Sequence, residues 1–270
     1  MENKIKSHYY SENLTGKIFA ALEKTEKNIH RLGIDDLTLI DQFHTGGPQA
    51  TVRLMELANI KSGAEILDAG CGIGGSSRLI AKKYNQLVTG IDLSDQFIDT
   101  AQALTSSTGL SDQIHFQKGS LLDLPFKNGT FNAILCQQTL MNIQNKEKVF
   151  KEFNRVLGEN GKLLLHEILK GKNDPIHYPV PWATEETISF LEPWDSMEQL
   201  ILAAGFKKIS VEDHTENAAN LWLNAKEKDP SADMSGAHLI FGATADLFEK
   251  TMNFNFKWDR IKVVEAVFEK

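Results

Sequence analysis

Asp68 stands just ahead of a glycine-packed turn, Gly70-Cys71-Gly72-Ile73-Gly74-Gly75, and this pairing bears most directly on chemistry. By letter, Gly70, Gly72 and Gly75 satisfy G-x-G-x-x-G. Asp92 follows at the spacing of about 20 residues where a dinucleotide site places its ribose-binding acid. A pyrophosphate carries negative charge to such a turn, however, and a carboxylate beside the turn opposes it. A nucleoside with an ammonium and a sulfonium but no phosphate is attracted instead, and S-adenosylmethionine is such a ligand. Asp68 also has a plainer reading, compatible with either ligand: an acid that orders the loop by accepting backbone N–H bonds.

The elements that must position these residues follow in order. Ile66 to Ala69 reads as a buried strand, and Ser76 to Ala81 has helical spacing, so the turn sits between strand and helix. Leu87 to Ile91 is a second strand ending at Asp92, whose carboxylate can accept both ribose hydroxyls. Ile114 to Lys118 is a third, closed by Gly119-Ser120-Leu121. Asn128-Gly129 turns the chain into a fourth, Phe131 to Leu135. Successive strand ends thus offer polar or glycine positions to one crevice.

These residues resemble the class I S-adenosylmethionine-dependent methyltransferases. The resemblance rests on Ile66–Gly75, Val88–Ser94, Gly119–Phe126 with Phe131, and Val156–Leu163, in family order over roughly residues 60–170. Within that class the chain resembles the small-molecule branch of quinone, tocopherol-type, phosphoethanolamine and sarcosine/dimethylglycine methyltransferases. Phe43-His44-Thr45-Gly46-Gly47 and Leu140-Met141-Asn142-Ile143 are most similar to the sarcosine/dimethylglycine type. The resemblance implies a Rossmann-like α/β fold: a seven-stranded, mostly parallel sheet with one antiparallel strand near the C-terminus, under an N-terminal helical lid. It implies S-adenosylmethionine as cofactor. It assigns cofactor binding to Tyr10, Thr45, Asp68, Gly70, Gly72, Gly74, Asp92, Leu93, Phe97, Ser120, Leu121 and Gln137. There is one departure. Many relatives carry Asp where Ser120 stands, to hold the adenine amino group, and a hydroxyl accepts that bond without charge assistance.

Composition narrows the partners. The chain has 270 residues, of which 41% are hydrophobic, enough for one α/β domain with helical additions. With 29 basic against 36 acidic residues the formal charge is −7 and no basic block appears, which disfavours nucleic acid and acidic membranes. Cys71 and Cys136 fit no metal cluster and read as small buried residues in a reducing compartment. No stretch resembles a secretory leader or a membrane span, so a soluble cytoplasmic protein with no metal is expected.

Along the chain, residues 1–60 read as a helical lid, with one helix from Leu14 to about Leu32 and another from Pro48 to Ala58. Residues 61–170 read as the cofactor-binding core, with a helix over Lys146–Leu157 and a fifth strand over Lys162–Leu169. Residues 171–270 read as a substrate-covering loop and helices with the last two strands. These include helices over Ser196–Ala204, Asn217–Lys228 and Ala243–Lys257, a sixth strand over Phe206–Asp213 and a final one over Ile261–Glu269.

Methyl transfer from a sulfonium is an in-line displacement, so the protein mainly aligns the nucleophile and excludes water. No catalytic triad is required and none is found. A base, where one is needed, comes from His44, His166 or Glu167. Tyr9, Met141, Asn142 and Trp182 are the expected substrate contacts, with Phe190, Trp194 and Trp222 as further flat walls able to cage a methylated ammonium. A histidine stands at Asn142 in phosphoethanolamine-type relatives, so a His–Tyr pair is not carried over. The expected reaction is N-methylation of an amino-acid-like amine of the sarcosine/dimethylglycine type. The alternatives are C- or O-methylation of a quinone, phenol or secondary metabolite, an NAD-dependent dehydrogenase, and a cofactor-binding regulator without catalysis.

Overall fold

The computed structural model describes residues 1–224 and 235–270. Short apolar runs bounded by turn residues form the strands β1 (Glu65–Ala69), β2 (Leu87–Asp92), β3 (Ile114–Lys118), β4 (Phe131–Gln137), β5 (Leu157–Lys170), β6 (Lys207–Asp213) and β7 (Ile261–Glu269). They make one sheet in the order β3-β2-β1-β4-β5-β7-β6. The first five strands pair in parallel, and β7 runs antiparallel between β5 and β6. This is the Rossmann-like arrangement with its single reversed strand.

Eleven α-helices are present among the described residues: α1 (Glu2–His8), α2 (Leu14–Glu23), α3 (Thr38–Asp41), α4 (Gly47–Ala58), α5 (Gly75–Tyr84), α6 (Asp95–Thr108), α7 (Lys146–Val156), α8 (Trp194–Ala203), α9 (Thr215–Asn224), α10 (Gly236–Phe241) and α11 (Ala245–Lys257). Alternation along the strands decides which layer each side chain joins. Leu67, Ile134, Leu163 and Leu165 pack against Val149, Phe150 and Phe153 of α7 and Ile201 of α8. Ile66, Val88, Leu135 and Leu164 pack on the other face against Leu54 of α4, Ile80 of α5 and Ala101 of α6. Because both faces are covered, the central strands are apolar nearly throughout.

Helix ends follow local chemistry. Ser94 caps α6 by accepting the Phe97 N–H at 3.3 Å, and Gly109 closes it in the left-handed region. The helix expected from Leu14 to Leu32 stops at Glu23. The Thr25 hydroxyl donates to the Leu22 carbonyl at 2.7 Å and Glu26 takes φ 60°, which unwinds the turn. Strand β5 starts earlier than expected, because residues 157–161 continue alongside β4 through a register shift rather than forming a separate turn. Of the helix expected over Asn217–Lys228, residues 225–228 lie outside the described residues. No helix among the described residues is long and apolar enough to cross a membrane.

The N-terminal segment is fastened to the core by a buried ion pair. Arg78 of α5 donates to Asp41 at 2.9 Å, with side-chain exposures of 0% and 2%. The same guanidinium also reaches the carbonyls of Ile73 and Ala101 and the hydroxyl of Thr105. Close approach demands Gly75: a Cβ there would stand 2.2 Å from the Asp41 carbonyl oxygen. The glycine turn, α5 and the N-terminal helices are thus one packed unit. Removing a single partner leaves a buried uncompensated charge. Asp41→Ala is expected to cost about 3–5 kcal/mol, read as a lowered urea midpoint by circular dichroism.

Candidate active site

A cleft of about 310 Å³ opens at the C-terminal ends of β1 to β4 and is roofed by α1. The register sets its floor. Asp68 lies beside Gly90 and Ala69 beside Ile91, so Asp92 ends β2 just past the end of β1, near enough for its charge to act on Asp68. The turn is pinned to β2, since the N–H groups of Gly70 and Cys71 both donate to the Ile91 carbonyl at 2.8 and 3.0 Å. Asp92 accepts the Gly72 N–H at 3.0 Å and the Ser94 N–H at 2.8 Å. Asp68 accepts the Ser77 hydroxyl at 2.6 Å, and burial pushes its carboxyl up to about 6. Burial also raises Asp92, against the pull of its backbone donors. Among the described residues lining the cleft, the acids are Glu2, Asp41, Asp68 and Asp92, and Lys6 is the single lysine or arginine.

One end of the cleft has neutral groups whose hydrogen-bond polarity is fixed. Asn142 spends both Nδ2 hydrogens on the carbonyls of Trp182 and Ile188, each at 2.8 Å. Its Oδ1 is therefore the acceptor, and Tyr9 must donate to it at 2.9 Å. The Tyr9 phenol is driven well above its ordinary range by burial and then by Asp92 and Glu167. It stays protonated and presents only oxygen lone pairs. His44 Nε2 lies 2.9 Å from the Gly47 carbonyl, which can only accept, so the ring proton sits on Nε2 and Nδ1 keeps its lone pair. Burial lowers His44 to about 4, so the ring is neutral at neutral pH.

Behind this end runs a polar row, buried from Gln137 to Glu265 and exposed at Glu212, whose continuity across four strands the sequence reading did not see. Gln137, His166, Glu265 and Glu212 are direct neighbours across β4, β5, β7 and β6. Gln137 Oε1 accepts the hydroxyls of Thr51 and Ser76 at 2.9 Å, and its Nε2 donates to His166 Nδ1 at 3.4 Å. Glu265 is clamped by Arg53 of α4 at 3.0 and 2.5 Å and approached by His214 at 3.4 Å. Each strand contributes one polar residue, so no single segment carries a recognisable motif.

The cleft is lined by Tyr9, His44, Asp68, Gly70, Gly72, Asp92, Leu93, Phe97, Ser120, Leu121, Gln137 and Asn142. It also takes in Gln138 beside the expected Gln137, Phe43 beside the expected His44, and the α1 residues Glu2, Ile5 and Lys6; of these, sequence reasoning missed the three on α1. Gln138 adopts φ 46°, a left-handed conformation costly for a side-chain-bearing residue, and its buried Nε2 has no partner among the described residues. That strain has no sequence signal.

Other expected contacts lie elsewhere. Tyr10 is 64% exposed on the outer side of α1. Thr45 sits behind Gln138, giving its N–H to Gln138 Oε1 at 3.2 Å and receiving Trp222 Nε1 at 3.4 Å. Gly74 lies under the turn, where a Cβ would strike Phe116 and Arg78, so its role is packing. Met141 and Trp182 belong to a buried cluster with Val180 and Met252, and the Trp182 indole N–H is taken by Ser189. Phe190 and Trp194 likewise do not line the cleft. The expectation of an aromatic cage therefore gives way: Trp182 is core beneath the 176–191 segment, and Trp194 packs against Phe268 of β7.

The two proposed bases at the end of β5 are corrected as well. His166 is buried behind Gln137, its Nδ1 is occupied, and burial pushes it well below the ordinary histidine range. Glu167 points to the opposite face, where it accepts the N–H groups of Thr139 and Leu140 at 3.2–3.3 Å and shapes the turn that places Asn142. Burial raises Glu167 to about 7. A carboxyl raised above its unfolded value of about 4.3 binds more protons in the native state. Its contribution is complete below about pH 4 and drains away as pH rises towards 7. Glu167→Gln keeps the acceptor oxygen without the charge. The wild-type stability advantage over this variant should fall by on the order of 3 kcal/mol between pH 4 and pH 8, measured by urea denaturation at both values.

Residues 67–165 match the family model described as methyltransferase domain. Phosphoethanolamine N-methyltransferase 1 of Zea mays is 31% identical over 172 residues, covering 64% of this chain and 34% of its own length. Norajmaline N-methyltransferase of Rauvolfia serpentina is 32% identical over 130 residues, covering 45% and 44%. The chain thus spans about a third of the length of the phosphoethanolamine relatives it matches. Among solved structures, Haemonchus contortus phosphoethanolamine N-methyltransferase 2 in complex with S-adenosyl-L-methionine superposes with a TM-score of 0.72 at 18% identity, covering 88% of this chain and 57% of that one. At that identity the likeness is one of fold.

Proposed function

We propose that this chain, whose residues 67–165 match the methyltransferase-domain model, transfers a methyl group from S-adenosylmethionine to the nitrogen of a small amine. The observation that carries the reading is the Asp68–Asp92 pair beside the glycine turn. The Gly72 N–H, which a pyrophosphate would need, is already given to Asp92, and two acids at adjacent strand ends repel phosphate. The dinucleotide reading is therefore set aside. Asp92 would take the ribose hydroxyls and Asp68 the ammonium of the amino-acid tail, with Leu93, Phe97 and Leu121 as apolar walls. The cofactor supplies an electrophilic methyl on a positively charged sulfur. Residues 1–60 would close over it, since α1 roofs the cleft.

The protein's own part is positioning. With His44 at about 4, its imidazole is too weak a base to take a proton from an ammonium. What remains for Tyr9 and His44 is to accept N–H hydrogen bonds and so aim the amine lone pair. An N–H-bearing amine of amino-acid size satisfies both, which favours nitrogen over an aromatic carbon. The proton released on methylation passes to water. The net charge of −7 speaks against nucleic acid as the acceptor, and two free buried thiols, Cys71 and Cys136, suit the cytoplasm.

Calorimetric titration is expected to show binding of S-adenosylhomocysteine and none of NADH; the reverse result would overturn the assignment. Asp92→Ala is expected to weaken S-adenosylhomocysteine at least tenfold, as loss of a charged hydrogen-bonding partner implies. Product masses from sarcosine, dimethylglycine and a quinol panel then decide the nucleophile, with methylation of a quinol alone replacing nitrogen by carbon or oxygen.

A further inference from the structure

Glu2 is a charged residue of the cleft to which neither the fold nor the catalytic reading gives a purpose. It enters from α1 and receives the Ser120 hydroxyl proton on Oε1 at 2.7 Å. Ser120 also accepts the Leu122 N–H at 3.2 Å, so its hydroxyl is occupied on both sides. Glu2 Oε2 has no partner among the described residues. Ser120 follows β3, and β3 lies beside β2, which ends at Asp92. With the ribose on Asp92, the base of the same nucleoside falls at the end of β3. That end is walled by Ile91, Leu93 and Leu121 and holds one carboxylate.

We propose that Glu2 is the charged acceptor for the exocyclic amino group of the cofactor's adenine, the hydroxyl of Ser120 serving to aim its carboxylate. The assignment rests on the reading of the cleft as an S-adenosylmethionine site. An adenine amino group is a donor only, and a carboxylate is an acceptor only, so the two match. A 6-oxo purine turns a carbonyl oxygen towards the same carboxylate and is repelled. Because α1 is held at its other end by the Tyr9–Asn142 bond and by His8 on the Pro181 carbonyl, Glu2 is delivered to this position when the N-terminal segment is closed. Base recognition and closure of the cleft are then one event.

The alternative is a mere latch, in which the Glu2–Ser120 bond only holds α1 down. A latch affects every nucleoside equally, whereas recognition changes their ratio. Calorimetry on the full chain with S-adenosylhomocysteine and its 6-oxo counterpart S-inosylhomocysteine separates the two. The wild type is expected to prefer the adenine compound by about tenfold or more, as a charge-assisted bond implies. Glu2→Ala brings the ratio close to one. Adding Ser120→Asp to Glu2→Ala supplies a carboxylate from β3 and restores the preference. An unchanged ratio in Glu2→Ala, or equal weakening of both compounds, overturns the assignment. A wild type that binds neither compound overturns the cofactor reading and this assignment with it.

Discussion

The grip of backbone N–H groups on Asp92 is the constraint from which the rest of the site follows. A carboxylate at a covered strand end is costly to keep ionised unless donors replace its water. Gly72 and Ser94 supply them from two sides, one from the glycine turn and one from the start of α6. This fixes the turn relative to β2, and the Gly70 and Cys71 bonds to Ile91 secure the same placement. The turn in turn aims α5, whose Arg78 holds Asp41 and therefore the whole N-terminal segment. Lid, turn and sheet are coupled through a single line of polar contacts; close packing requires Gly70 and Gly75 on that line, whereas a Cβ at Gly72 would meet open space.

The opposite end of the cleft works by a different principle. Its groups are neutral, and their neighbours dictate which of them donate. Two carbonyls fix Asn142, Asn142 fixes Tyr9, and the Gly47 carbonyl fixes the His44 tautomer. Buried groups with assigned polarity are pre-organised, so little reorganisation is needed when an acceptor binds. The buried row from Gln137 to Glu265 extends this rigidity beneath the site. Thr51 and Arg53 of α4 tie the row to the helix that follows the His44 loop. Such a site suits a reaction whose leaving group is already activated and whose protein needs to contribute mainly alignment.

Much of this was legible in the amino-acid order, because it depends on neighbours in sequence. Strand period, glycine turn and helix caps are local. Asp68, Gly72, Asp92, Ser120 and Leu121 sit at strand ends or in the glycine turn, so local reading places them at the crevice, while Leu93 and Phe97 were implied by the family resemblance; all seven line the cleft. The reversed final strand came from family resemblance, and the sheet shows it in that position. Where local reading went astray, a long-range contact decided. Trp182 looks like a free aromatic wall until the 180–188 segment is seen to need it as core. His166 and Glu167 look like one polar pair at a strand end. Successive residues of a strand point to opposite faces, so they serve separate networks.

What the sequence determined by itself, then, is the chemistry available: an acid-flanked glycine turn between a strand and a helix, and a parallel α/β frame to hold it. Only the tertiary structure decided which polar groups meet and which way each hydrogen bond runs. Glu2 reaches Ser120, Tyr9 reaches Asn142 and Asp41 reaches Arg78 across separations of 118, 133 and 37 positions. Contacts that distant leave no periodicity or spacing in the chain. Their partners are selected by the packing of the N-terminal helices onto the sheet.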